Sequence, residues 1–139
     1  MRVVFDANVV VAGVCWQGEG WLCFIRMARR HVFAYGTTVT LEETRETALR
    51  LIRERRPTHN AAARLSWYAE RVRLVEPAPL GKPRSRDRLD DPYLAAALAA
   101  KAGAIVSYDH DLLDLGKHFG IPIVRPTGLL QMLGNQDPL

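Results

Sequence analysis

Cysteine is scarce in this chain, with only Cys15 and Cys23 among 139 residues. Two thiols are too few for a disulfide framework and show no CxxC or Cys/His spacing, which excludes a structural zinc site and fits a reducing cytosol. Long apolar runs are missing too. No segment reaches the roughly 20 residues needed to cross a bilayer. The apolar stretch from Val9 to Cys15 is approached through Asp6 and Asn8 with no small-residue cleavage pattern after it, so it does not read as a signal peptide. The absence of a Gly-rich phosphate loop, a Walker lysine and a nucleophile elbow argues against nucleotide triphosphatases and serine hydrolases. Internal repeats and low-complexity tracts are also lacking, and the length suits one domain over 1–139.

What the chain does have is carboxylates gathered in four places. Two clusters directly follow apolar runs: Asp6 and Asn8 after Val3-Val4-Phe5, and Asp109-His110-Asp111 after Ala104-Ile105-Val106-Ser107-Tyr108. A carboxylate at the carboxyl end of a buried strand is where open α/β sheets place their ligands. The other two, Glu42-Glu43 and Asp90-Asp91, sit at the starts of predicted helices. Like charges a few ångströms apart repel by roughly 1 to 4 kcal/mol per pair. A site that collects them therefore suits a hard divalent cation with oxygen ligands.

Basic residues outnumber acidic ones 19 to 15, a net charge of +4, and most are arginine. They clump at Arg26, Arg29 and Arg30, at Arg50, Arg53, Arg55 and Arg56, and at Lys82, Arg84, Arg86 and Arg88. Each clump alone is an ordinary solvated face. Together with segregated acids they fit a metal-dependent phosphodiesterase, with cations for a polyanion and carboxylates for metal.

The hydrophobic pattern predicts strands at Val3 to Phe5, Val32 to Tyr35, Ala104 to Tyr108 and Ile121 to Val124. Helices are predicted at Trp21 to Arg30, Leu41 to Arg55, Asn60 to Arg71, Tyr93 to Ala102, Leu112 to Leu115 and Gly128 to Leu133, with the third and fourth strands enclosing the short one. Glu76 to Arg88 holds three prolines and four basic residues and reads as an exposed loop. This alternation predicts an α/β fold with a mostly parallel central sheet covered on both faces. Asp6, Asp109 and the helix opening at Asp90-Asp91 would then meet at one sheet edge.

Every acid also has a plain structural duty. Asp6 could start a turn or cap the next helix. Thr40-Leu41-Glu42-Glu43 reads as a capping box, and one aspartate of Asp90-Asp91-Pro92 suffices to cap the helix that follows. The second aspartate, and Asp111 two residues beyond Asp109, are better explained by a cation. Trp16, Trp21 and Trp67 read as core or interface residues, and His110 as a solvent-facing neighbour of its acids.

The order Val-Val-Phe-Asp6-Ala-Asn8, Leu41-Glu42-Glu43-Thr44-Arg45, Asp90-Asp91-Pro92-Tyr93-Leu94-Ala95, then Ile105-Val106-Ser107-Tyr108-Asp109-His110-Asp111, resembles a PIN domain. It is similar to the VapC-like toxin branch of toxin–antitoxin systems. The resemblance runs essentially the whole length, through Ile123-Val124-Arg125-Pro126-Thr127-Gly128. It implies a three-layer α/β/α sandwich and a ribonuclease site using Mg2+ or Mn2+. Asp6, Glu43, Asp91 and Asp109 match the four catalytic, metal-holding acids, with Asp111 an additional ligand and Asn8 and Ser107 supporting. The family's Asp-Pro-Asp-Asp-Asp stretch reads Asp87-Arg88-Leu89-Asp90-Asp91 here, so Asp90 rivals Asp91. Asp91 is preferred because it precedes Ala95 at the family's spacing, and Glu43 over Glu42 because Thr-Arg follows it. Arg53, Lys82, Arg84 and Arg86 are candidates for RNA phosphates. The resemblance further implies a cytoplasmic protein acting on RNA beside an antitoxin, with homodimers common in the branch. Two rival readings are a non-catalytic nucleic-acid-binding module and a haloacid-dehalogenase-like phosphatase. The latter needs a second aspartate where this chain has Asn8.

Overall fold

The structure, a computed structural model, describes residues 1–57, 60–84 and 88–134. The chain opens with strand β1 (Arg2–Phe5), helices α1 (Ala7–Cys15) and α2 (Glu19–Ala28), strand β2 (Phe33–Gly36), helices α3 (Thr38–Arg55) and α4 (Ala61–Arg71) and strand β3 (Arg73–Leu74). A 3-10 turn (Arg88–Asp90) leads into α5 (Asp91–Ala100), β4 (Ala104–Val106), α6 (His110–Leu113), β5 (Lys117–His118), β6 (Ile121–Val124) and α7 (Pro126–Leu133). The described strands form one sheet in the order β3-β2-β1-β4-β6-β5. All neighbours are parallel except β5 with β6.

Val3 to Phe5 of β1 and Ala104 to Val106 of β4 are apolar and buried, as strands covered on both faces must be. Val3 and Phe5 point into a core shared with α1, α2, α4 and α7, while Val4 and Ile105 point into a second core under α5 and α6. Side chains of this size contribute about 1.5–3 kcal/mol each when buried, so a one-residue slip would upset both layers at once. In the first core Tyr68 stacks on Phe24 with ring centroids 5.6 Å apart and meets Phe5 edge-on at 6.5 Å, tying α4 to α2 and β1. α1 and α2 cross so closely that a Cβ on Gly20 would lie 2.8 Å from the Gly13 backbone nitrogen, which leaves room only for glycine.

Several expectations are corrected. α1 lies where no helix is predicted, because its residues are buried nearly all round and show no amphipathic period, while a run of valines favours strand. The capping box belongs to Thr37, not Thr40. The Thr37 hydroxyl accepts the Thr40 N–H at 3.2 Å and Thr40 Oγ1 accepts the Thr37 N–H at 2.9 Å, which adds a turn to the predicted helix and frees Glu43 from capping. α5 starts at Asp91 and ends at Ala100, with Lys101 in the left-handed conformation two residues before Gly103. Nor is the stretch after β3 a simple exposed loop. The Ala78 N–H donates to the Ala95 carbonyl at 3.2 Å and Leu80 packs on the second core, strapping the chain across α5.

Candidate functional site

β1 and β4 run side by side with Phe5 opposite Val106, so Asp6 and Ser107 leave the sheet together at its carboxyl edge. The Asp6 N–H extends that ladder to the Val106 carbonyl at 2.9 Å. Its carboxylate is fixed twice: Oδ1 accepts the Ala7 N–H at 2.8 Å, capping α1, and Oδ2 accepts the Ser107 hydroxyl at 2.7 Å. Ser107 Oγ in turn accepts the Asp109 N–H at 2.8 Å, and Asp109 Oδ1 accepts the Asp111 N–H at 2.8 Å as the cap of α6. One relay of hydrogen bonds thus positions three acids. Ser107, fully buried, is its hub.

A fourth acid arrives from the start of α5. Asp90 ends the 3-10 turn at the start of α5, is buried, and makes no capping bond with its side chain. Its carboxylate instead faces the relay: Asp90, Asp109 and Asp111 each offer an oxygen within 4.8 Å of the others. Asp91, preferred on spacing, is not in that group; its Oδ1 accepts the Arg84 N–H at 3.2 Å. The physical reason is the helix start. Successive residues there are about 100° apart around the axis, so only one of two neighbouring aspartates can face the edge.

Glu43 is half-buried and its charge is felt at Asp6, whereas Glu42 is exposed. Burial raises the Asp6 pKa above its ordinary value, and the charges of Asp109 and Glu43 push the same way, against the hydrogen bonds from Ser107 and Ala7. Asn8 is exposed on the first turn of α1. Lys82 is exposed and Arg84 half-buried, with its Nε and Nη2 both donating to the Leu80 carbonyl at 3.2 and 3.0 Å. Arg86 lies outside the described residues. Arg53 is exposed in the last turn of α3, about 15 Å along the helix from Glu43, and is not brought to the acids.

The donor set consists of carboxylate oxygens, with no thiolate or imidazole among Asp6, Glu43, Asp90, Asp109 and Asp111. Hard oxygen donors fit Mg2+ or Mn2+. A second feature, not singled out by the sequence, adjoins these acids. Tyr93 is buried beside Glu43, Asp6 and Thr44, and its hydroxyl lies near the Glu43 and Thr44 side chains without a well-formed hydrogen bond to any described residue. Burial, then the Glu43 and Asp6 charges, hold its pKa far above the ordinary tyrosine range, so the hydroxyl stays a protonated donor. A buried hydroxyl without a well-formed hydrogen bond costs up to about 1–3 kcal/mol. Tyr93→Phe is therefore expected to raise the Tm of the cation-free protein by up to a few degrees. A fall in a thermal melt would show that the hydroxyl is satisfied.

Comparison with curated proteins gives no match. Among solved structures, the crystal structure of PAE2754 from Pyrobaculum aerophilum is similar in fold, with a TM-score of 0.65 at 20% identity over 98% of this chain and 91% of that one. PIN domains are generally nucleases, and residues 2–111, the segment that carries every acid from Asp6 to Asp111, match the family's PIN domain. On that match the chain belongs to the PIN domain family.

Proposed function

We propose that this chain is a metal-dependent endoribonuclease, with residues 1–139 acting as one nuclease unit and as the toxin of a toxin–antitoxin pair. The observation that carries the reading is the convergence of Asp90, Asp109 and Asp111 within 4.8 Å, beside the buried and doubly anchored Asp6. Asp90, Asp109 and Asp111 would hold Mg2+ or Mn2+, with Asp6 and Glu43 adjoining. When bound, such a cation lowers the pKa of a water and neutralises charge on a phosphodiester. The chain's own residues do the rest. Ser107 holds Asp6 and Asp109 in register, Tyr93 supplies a buried proton donor beside Glu43, and the sheet and α5 keep the acids fixed so that little reorganisation is needed. No side-chain nucleophile is required, and the products would carry 5′-phosphate and 3′-hydroxyl ends.

The toxin part of the reading needs a partner. A groove of about 650 Å3 between α2 and α4, lined by Trp21, Phe24, Ile25, Ala63 and Trp67 with Arg29 and Arg64 alongside, supports docking of an antitoxin segment. Arg64 sits over the Trp21 ring at 4.1 Å, so the groove offers an apolar floor and a cationic wall. Cys15 and Cys23, both free and buried, suit a cytoplasmic protein.

The test is cleavage of structured and single-stranded RNAs by the purified protein with Mg2+ or Mn2+, with excess chelator, and with Asp6→Asn. Activity lost with chelator and in the variant is the expected result. A folded protein that neither cleaves RNA nor gains Tm with either metal would leave a binding module, and size-exclusion of the same sample reads monomer against homodimer.

A further inference from the structure

β5 returns to β6 through a two-residue turn, Phe119-Gly120, with His118 paired to Ile121. Both turn residues have positive φ, 48° for Phe119 and 80° for Gly120, the pattern of a type I′ turn. Asparagine or glycine makes that turn without strain, whereas a bulky aromatic at positive φ is an outlier. The turn does not explain the phenylalanine. Nor does the core, since Phe119 is 59% exposed.

What surrounds the ring is specific. The Arg84 guanidinium lies over it at 5.0 Å, and His118 packs edge-on at 4.5 Å. Arg84 is itself held by the Leu80 carbonyl, and its N–H reaches Asp91, the residue next to Asp90 of the carboxylate group. Phe119, Arg84, Asp91 and Asp90 thus form one chain of neighbours leading to the site. This hairpin lies beyond residues 2–111, so the family match does not account for it.

We propose that Phe119, backed by Arg84, is a stacking platform for an unpaired base of a single-stranded RNA whose backbone enters the carboxylate site. The assignment rests on the nuclease reading and adds a strand-state preference to it. Every base has a π-face, so the platform is tolerant of sequence; a duplex keeps its bases stacked on one another and cannot offer one. The guanidinium behind the ring strengthens the stack and sits where phosphate charge is attracted. An exposed phenylalanine is ordinary by itself. Here the strained turn and the pinned arginine mark it as a built feature.

The test titrates a single-stranded RNA oligonucleotide carrying a fluorescent base analogue, and a hairpin duplex of equal length, onto the full chain in chelator. Wild type is expected to quench the analogue on binding. Phe119→Ala should bind the single strand about tenfold more weakly without quenching, the size of one base–aromatic stack. Phe119→Trp should restore both, Phe119→Leu neither, and duplex binding should be equal in all four proteins. Thermal melts control for folding, which an exposed side chain should leave intact. Equal single-strand binding by Phe119→Ala, or an equal loss for both RNAs, overturns the platform while leaving the nuclease reading standing if wild type cleaves. No RNA binding or cleavage by wild type overturns both.

Discussion

Asp90→Asn is expected to lower the rate of RNA cleavage by about 10³-fold, and Asp91→Asn to leave it within about threefold. The first figure corresponds to losing about 4 kcal/mol of the charge stabilisation that a held cation gives a phosphodiester transition state. Asp90 is one of three residues whose carboxylate oxygens lie within 4.8 Å of one another, and the amide of the variant removes its charge with almost no change of shape. Asp91 faces elsewhere, its Oδ1 taking the Arg84 N–H, a bond the asparagine carbonyl can keep. Single-turnover cleavage with Mn2+ decides between the two. The reverse ranking would show that the spacing argument, which selects Asp91, was the better guide.

Asp6→Asn is expected to abolish cleavage and yet to raise Tm at neutral pH. The folded state binds the Asp6 proton more tightly than the unfolded chain does, because burial and then the Asp109 and Glu43 charges disfavour its ionised form. Stability linked to that proton is complete below the unfolded pKa, about 3.9, and is lost as pH climbs through the raised folded value. At neutral pH the charge is a liability that asparagine removes, while its carbonyl can still accept the Ala7 N–H. The gain should shrink toward zero as pH falls to about 4, where wild type is itself protonated. Mn2+ should stabilise wild type more than the variant, since the cation meets one acid fewer. Melts of both proteins from acid to neutral pH, with and without Mn2+, check all three points. A variant that melts lower than wild type at pH 7 would falsify the account of Asp6 as a strained charge.

Much of the fold was legible because local chemistry and global burial agree there. Val3 to Phe5 and Ala104 to Val106 are apolar on both faces, as strands covered by two helical layers must be, and α4 and α5 begin and end close to where periodicity, Pro92 and Gly103 set them. The departures have separate causes. α1 is buried nearly all round, so it lacks the polar stripe that would mark it, and the capping box forms between Thr37 and Thr40, one turn before the Thr40–Glu43 pair that the sequence pattern selects. β3 and β5 are two residues each, too short to carry an alternating pattern.

The sequence alone determined which carboxylates exist and that two follow buried strands, since apolar runs ending in an acid have few other places to go in a parallel sheet. It also determined the scarcity of soft metal ligands and the alternation of strands with helices. Only the tertiary structure brings the oxygens of Asp90, Asp109 and Asp111 within 4.8 Å of one another. Asp90 and Asp91 differ by one step around a helix, a rotation that spacing along the chain cannot resolve, and Tyr93, Arg84 and Phe119 gain their meaning from neighbours distant in sequence. Side-chain direction at a helix start is fixed by what packs against that helix, and here this is the carboxyl edge of β1 and β4.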